Sequence, residues 1–104
     1  MNIIYDKFAQ TVAAGTNAGA TATVSAVTGS RHHCLHAIGY TDTTSLIQIK
    51  DGSTIICEIK TGAGGFDLDL GGSLQGTTGT AMSAVIASST AACRITLITG
   101  VRKA

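Results

Sequence analysis

The stretch Ser45-Leu46-Ile47-Gln48-Ile49-Lys50-Asp51-Gly52-Ser53-Thr54-Ile55-Ile56-Cys57-Glu58-Ile59-Lys60-Thr61 decides the fold class. Two runs rich in β-branched residues flank Asp51-Gly52, and that dipeptide suits a type I′ turn, which needs positive φ at both central positions. A hairpin is therefore expected, with arms Ser45 to Lys50 and Thr54 to Thr61. In the second arm Ile55, Cys57 and Ile59 alternate with Thr54, Ile56, Glu58 and Lys60, so one face is expected buried and the other mostly wet.

The same two-residue period continues on both sides. Upstream, Thr21 to Val27 alternates Ala22, Val24 and Ala26 with Thr and Ser, Thr28-Gly29-Ser30 turns the chain, and Arg31 to Tyr40 forms the next strand. Before these, Tyr5 to Val12 reads as a first strand, and Ala13 to Gly19, with two glycines and Asn17, reads as a flexible connection. Downstream, Phe66-Asp67-Leu68-Asp69-Leu70 places its three apolar side chains on one face. Gly71 to Gly79 is expected as a loop anchored by Leu74, followed by strands Ala81 to Ala87 and Ala92 to Val101, with Ser88-Ser89-Thr90 between them.

In the last strand Cys93, Ile95, Leu97 and Val101 oppose Arg94, Thr96 and Ile98. A helix from Thr80 to Ala92 is the competing reading, since its alanines, Met82, Val85 and Ile86 could form a stripe, but its Ser and Thr density and lack of a charged face argue for a strand. About eight short strands at this spacing predict an all-β fold, an antiparallel β-sandwich of jelly-roll type. Residues 1–18 are expected as an N-terminal arm, or a first strand plus flexible connection, and residues 19–104 as the β-sandwich domain. If Tyr5 to Gln10 is a docking arm that orders on binding, deleting residues 1–12 should leave the sandwich folded.

Composition agrees with strands and turns. Thirteen glycines and no proline leave the turns to Gly, Asp, Asn, Ser and Thr, and charged residues make up 12% of the chain. A net charge of +1 over 104 residues, with scattered Lys and Arg, supplies no basic field for nucleic acid. No apolar run reaches the ~20 residues of a membrane helix, and the first ten residues, which include Asp6 and Lys7, do not read as a signal peptide. Cys34, Cys57 and Cys93 are odd in number and lack a C-x-x-C pair, so they read as small buried hydrophobes in a reducing cytoplasm.

Chemistry-bearing residues are few. On a regular strand His32, Cys34 and His36 share a face about 6.6 Å apart at each step, too far for all three to close on one zinc ion without distortion, although two could. They read more simply as a polar strand face or subunit contact, one whose imidazoles could make it sensitive to pH between about 5 and 8. Asp67 and Asp69 project together and could bind Ca²⁺ or serve acid/base chemistry, yet as an isolated pair they read as a solvated face. No G-x-S-x-G elbow occurs, the histidines lack an evident orienting carboxylate, and Gly62 to Gly65 lacks the Lys-Ser/Thr of a phosphate loop. No catalytic residue, metal ligand or cofactor is assigned, and the chain is expected to be no enzyme.

The Thr/Ala/Val strand from Thr21, the Gly29-Ser30 turn, the strand into Gly39-Tyr40, the hairpin at Lys50 to Thr54, the strand Gly64 to Leu70, the segment Gly76 to Ser83 and the final Thr99-Gly100-Val101 together resemble small virion proteins of tailed bacteriophages. The resemblance runs from Gly19 to Lys103. It implies a β-sandwich subunit of the head-decoration (cement) or fibre-module type, associating as a homotrimer on the outside of the particle. The implied partner is the major capsid protein and the implied place is the virion, assembled in the host cytoplasm. A fibre or receptor- or carbohydrate-binding module is the alternative, weakened by the absence of Trp and a total of four aromatic rings.

Overall fold

A computed structural model describes residues 5–103, with the backbone alone described at 88–91. The chain forms strands β1 (Lys7–Val24), β2 (Ser30–Thr41), β3 (Ser45–Asp51), β4 (Thr54–Thr61), β5 (Gly64–Gln75) and β6 (Met82–Lys103). All pairings are antiparallel. From Met82 onward the segment weighed as a helix lies in β6, where Met82–Ile86 finds ladder partners on both sides, in β3 and in β1.

β1 and β6 are long because each serves both layers. The Cys93–Lys103 half of β6 lies between β2 and the first half of β1, while Met82–Ile86 lies between β3 and the second half of β1. The two strands bend together where the register slips between Ala18 and Ala20, beside Asn17 at φ 55. Dividing both strands at this bend gives eight segments in two sheets, ordered β5-β2-β6-β1 and β4-β3-β6-β1. That is jelly-roll strand order, and the fold is an antiparallel β-sandwich. The segment 13–19, expected as a flexible connection, belongs to the β1 ladder, and residues 71–75, expected as loop, extend β5 beyond a bulge at Gly71-Gly72.

The sheets enclose Ala22, Val24, Cys34, Ala37, Ile47, Ile49, Met82, Ile86, Ile95 and Leu97. Phe66, Leu68 and Leu70 pack against this core from one side of β5, as their alternation predicts. Each fully buried Ile or Leu contributes about 1.5–3 kcal/mol of transfer free energy, so the aliphatic β3 and β6 residues dominate the apolar term.

The β3–β4 hairpin differs in detail from expectation. Asp51 pairs with Thr54, so the central turn residues are Gly52 and Ser53, and Gly52 alone of the two has positive φ, at 60°. This is the pattern of a type II′ turn, in which glycine takes the first central position. Asp51 is thereby free to hold the next loop, accepting hydrogen bonds from Thr77 N at 3.0 Å and Thr77 Oγ1 at 2.5 Å. A bulge makes Ile56 the extra residue, because Ile49 faces Cys57 and Lys50 faces Ile55. Ile55, expected inside, turns outward, while Ile56, Cys57 and Ile59 meet the core.

Candidate functional site

Aligning the ladders across the β5-β2-β6-β1 sheet places the outward residues in rows. Phe8, Gly100, His33 and Gln75 form one row, and Gln10, Ile98, His36 and Asp69 the next. Val12, Thr96, Ile38 and Asp67 follow, then Ala14, Arg94, Tyr40 and Gly65. Phe8, Val12, Ile38 and Tyr40 are exposed at 67%, 51%, 42% and 47%, so four large apolar side chains stand in water on this one face.

The three histidines on β2 have three different fates. A register slip between Cys34 and His36 makes Leu35 the extra residue against β6, and from there the alternation inverts. His32 and Cys34 point into the core, whereas His36 points out, so the single face expected for His32, Cys34 and His36 does not form. His32 is buried, with Nε2–H donating to Ser25 O at 2.8 Å and Nδ1 paired with the Thr99 hydroxyl at 2.8 Å. Its role is to satisfy polar groups in the core.

His33 faces outward but lies beneath Tyr5, their ring centroids 5.4 Å apart. Its Nδ1–H donates to Gly72 O at 3.3 Å, while His33 Nε2 and the Tyr5 hydroxyl are buried without a hydrogen-bond partner among the described residues. Tyr5 also meets Phe8 edge-on, with centroids 5.8 Å apart. These rings close the corner of the sheet where β1 begins.

His36 carries the electrostatics of the face. Its Nδ1–H donates to Asp67 Oδ1 at 3.1 Å, and its Nε2 lies 3.7 Å from Asp69 Oδ1. The Asp67 hydrogen bond, aided by the negative charges of Asp69 and Asp67 and opposed by partial burial, raises the His36 pKa above its ordinary value. The carboxylates anticipated as an isolated pair therefore share a histidine that reads in sequence as unaccompanied. The ring stands between them, one nitrogen toward each, which favours the protonated imidazolium with an N–H facing each carboxylate. Among the described residues no group of three or more His, Cys, Asp or Glu is placed to hold a metal ion.

Cys34, Cys57 and Cys93 are free thiols. Burial, reinforced by the nearby Cys57 thiol, pushes the Cys34 pKa up to about 12, which removes its nucleophilic form at neutral pH. The site thus consists of an open sheet face with an apolar centre, an acidic edge at β5 and Arg94 on the opposite side of Tyr40.

No family model and no curated protein sequence matches the chain. A solved structure with some likeness is the CBM36-1 domain of a multidomain xylanase from the hindgut metagenome of Trinervitermes trinervoides. It is 14% identical, covers 88% of this chain and 77% of its own, and superposes with a TM-score of 0.44. A likeness that distant says nothing of what this chain binds.

Proposed function

We propose that this chain is a structural protein of a tailed-bacteriophage virion, a decoration protein that binds the outside of the head lattice as a homo-oligomer and reinforces it. The observation that carries the proposal is the open outer face, where Val12, Ile38 and Tyr40 are exposed amid Gln10, Thr96, Asp67 and Arg94. An apolar centre with a polar margin is the anatomy of a protein contact surface, and it needs no cleft. The sequence resemblance to phage virion proteins implies two kinds of contact for such a chain, with other copies of itself and with the major capsid protein. Individually weak contacts repeated over a lattice gain strength through avidity.

Co-sedimentation with phage heads stripped of accessory proteins tests the proposal. The protein should pellet with heads and raise their resistance to heat, and protein that stays in the supernatant at every concentration would refute it. A recognition module, for host receptors or glycans, is favoured by one feature, the exposed Tyr40 ring in register with Arg94 and one row from Asp67. Such a ring can stack while charged neighbours hydrogen-bond. Retention on host cells or glycans, lost in Tyr40→Ala, would identify that role.

A further inference from the structure

We infer that the β5-β2-β6-β1 face is a two-fold contact between copies of this chain, in which Arg94 of each copy meets Asp67 and Asp69 of the other. This rests on the reading of the face as a contact surface and names the molecule that covers it. The argument begins with charge. Arg94 is exposed and makes no ion pair among the described residues, while Asp67 and Asp69 lie two strands away, about 10 Å across the sheet. Between them stand Ile38 and Tyr40, exposed and apolar.

A surface that pairs with itself about a two-fold axis must be self-complementary, each group meeting its counterpart on the partner. A basic group on one side of an apolar centre and an acidic pair on the other meet that condition when the axis runs diagonally through the centre near Ile38. The strands of the two copies then cross steeply, an arrangement known for packed sheets. The remaining arginines of the face, Arg31 and Arg102, stand opposite each other in the β2–β6 ladder at its far end, Arg102 about 27 Å along β6 from Arg94. They fall outside the overlap. A net charge of +1 imposes little general repulsion between copies.

The four-strand, four-row face measures roughly 20 Å each way, or about 400 Å² per copy, below the ~800 Å² of a standard stable interface. Pairing is therefore weak and concentration-dependent, suited to copies held close on a surface. The two-fold pair departs from the trimer that the phage resemblance implies.

Sedimentation equilibrium of the full chain over a concentration series provides the test, with circular dichroism to verify folding. The wild type should approach twice its 10.5 kDa mass. Arg94→Glu alone and Asp67→Arg/Asp69→Arg alone should each lose pairing, and an equimolar mixture of the two should regain it, because both cross-contacts are then opposite in sign. The milder Arg94→Gln, which should weaken pairing about tenfold, serves if a reversal fails to fold. A wild type that stays monomeric near about 1 mM, a trimer, or a mixture that fails to pair would overturn the inference. Adding stripped heads separates the two readings: pairs that ignore heads refute decoration and leave the pairing intact, whereas monomers that pellet with heads do the reverse.

Discussion

Tyr5 lies directly against Gly100: a Cβ at position 100 would fall 2.5 Å from both Cγ and Cδ1 of the ring. The absent side chain is therefore the seat on which the start of the chain rests, with His33 and Phe8 beside it. Gly100→Ala should displace the ring and cost about 1–3 kcal/mol, as overpacking does. For a domain of this size each kcal/mol lowers Tm by roughly 4–8 °C. Combining Gly100→Ala with Tyr5→Ala should cost less than the two single changes added, since the clash needs both partners. Strict additivity in thermal melts would show that the ring is not seated there.

His36 gives the protein a pH response of known sign. Its pKa in the folded protein is raised, chiefly by the Asp67 hydrogen bond, so its stabilising contribution is complete below the unfolded value near 6.5 and disappears as pH rises through the higher folded value. The difference in Tm between wild type and His36→Gln should shrink as pH rises past that range. Following the ring protons by NMR, Asp67→Asn should lower the His36 midpoint more than Asp69→Asn. A midpoint indifferent to both changes would contradict the geometry.

The strands whose facing was legible in the sequence were those whose one-sided alternation no bulge interrupts. Phe66, Leu68 and Leu70 could be placed on one face without any knowledge of their partners, because a period of two fixes it locally. The continuity of β1 and β6 was hidden, since Asn17 and Ser88 to Thr90 have the composition of turns and become strand only through pairing with each other's neighbourhood. The His36 cluster was hidden for a related reason. Asp67 lies 31 residues away and reaches His36 only after the Leu35 bulge turns that ring outward, and neither the bulge nor the β2–β5 register leaves a local signature. Likewise Asp51-Gly52 announced a turn, while its type depended on which residues paired across it.

The thiols should separate cleanly by reactivity. Cys34 and Cys93 are buried in the core and Cys57 is half-buried on β4. Burial keeps Cys34 protonated, its pKa pushed up to about 12. In the native protein a thiol reagent such as Ellman's should modify Cys57 first, with Cys34 and Cys93 reacting only as fast as the protein opens. Cys57→Ser should abolish the early phase. Modification of Cys34 at the rate of Cys57 would mean that the core around it is open to solvent.

Removal of residues 1–12 tests whether the start of the chain is a detachable arm or part of the sandwich. The first four of those residues lie outside the described structure, but Lys7 to Val12 pair with Val101 to Thr96, Ala9 packs against the core, and Asp6 accepts a hydrogen bond from Lys103 N at 2.8 Å. The truncation strips this ladder and the Tyr5 ring from β6, turning a central strand into a bare edge next to Ile98. Such an edge exposes unpaired backbone groups and invites association between chains. Contrary to the expectation for a docking arm, the truncated protein should melt roughly 10 °C or more below the full chain, the equivalent of about 2 kcal/mol, and aggregate more readily. Cooperative melting within a few degrees of the full-length protein would instead assign residues 1–12 to a dispensable arm, and the sheet would then be held by β2, β5, β6 and the short Ala13 to Thr16 remainder of its β1 ladder.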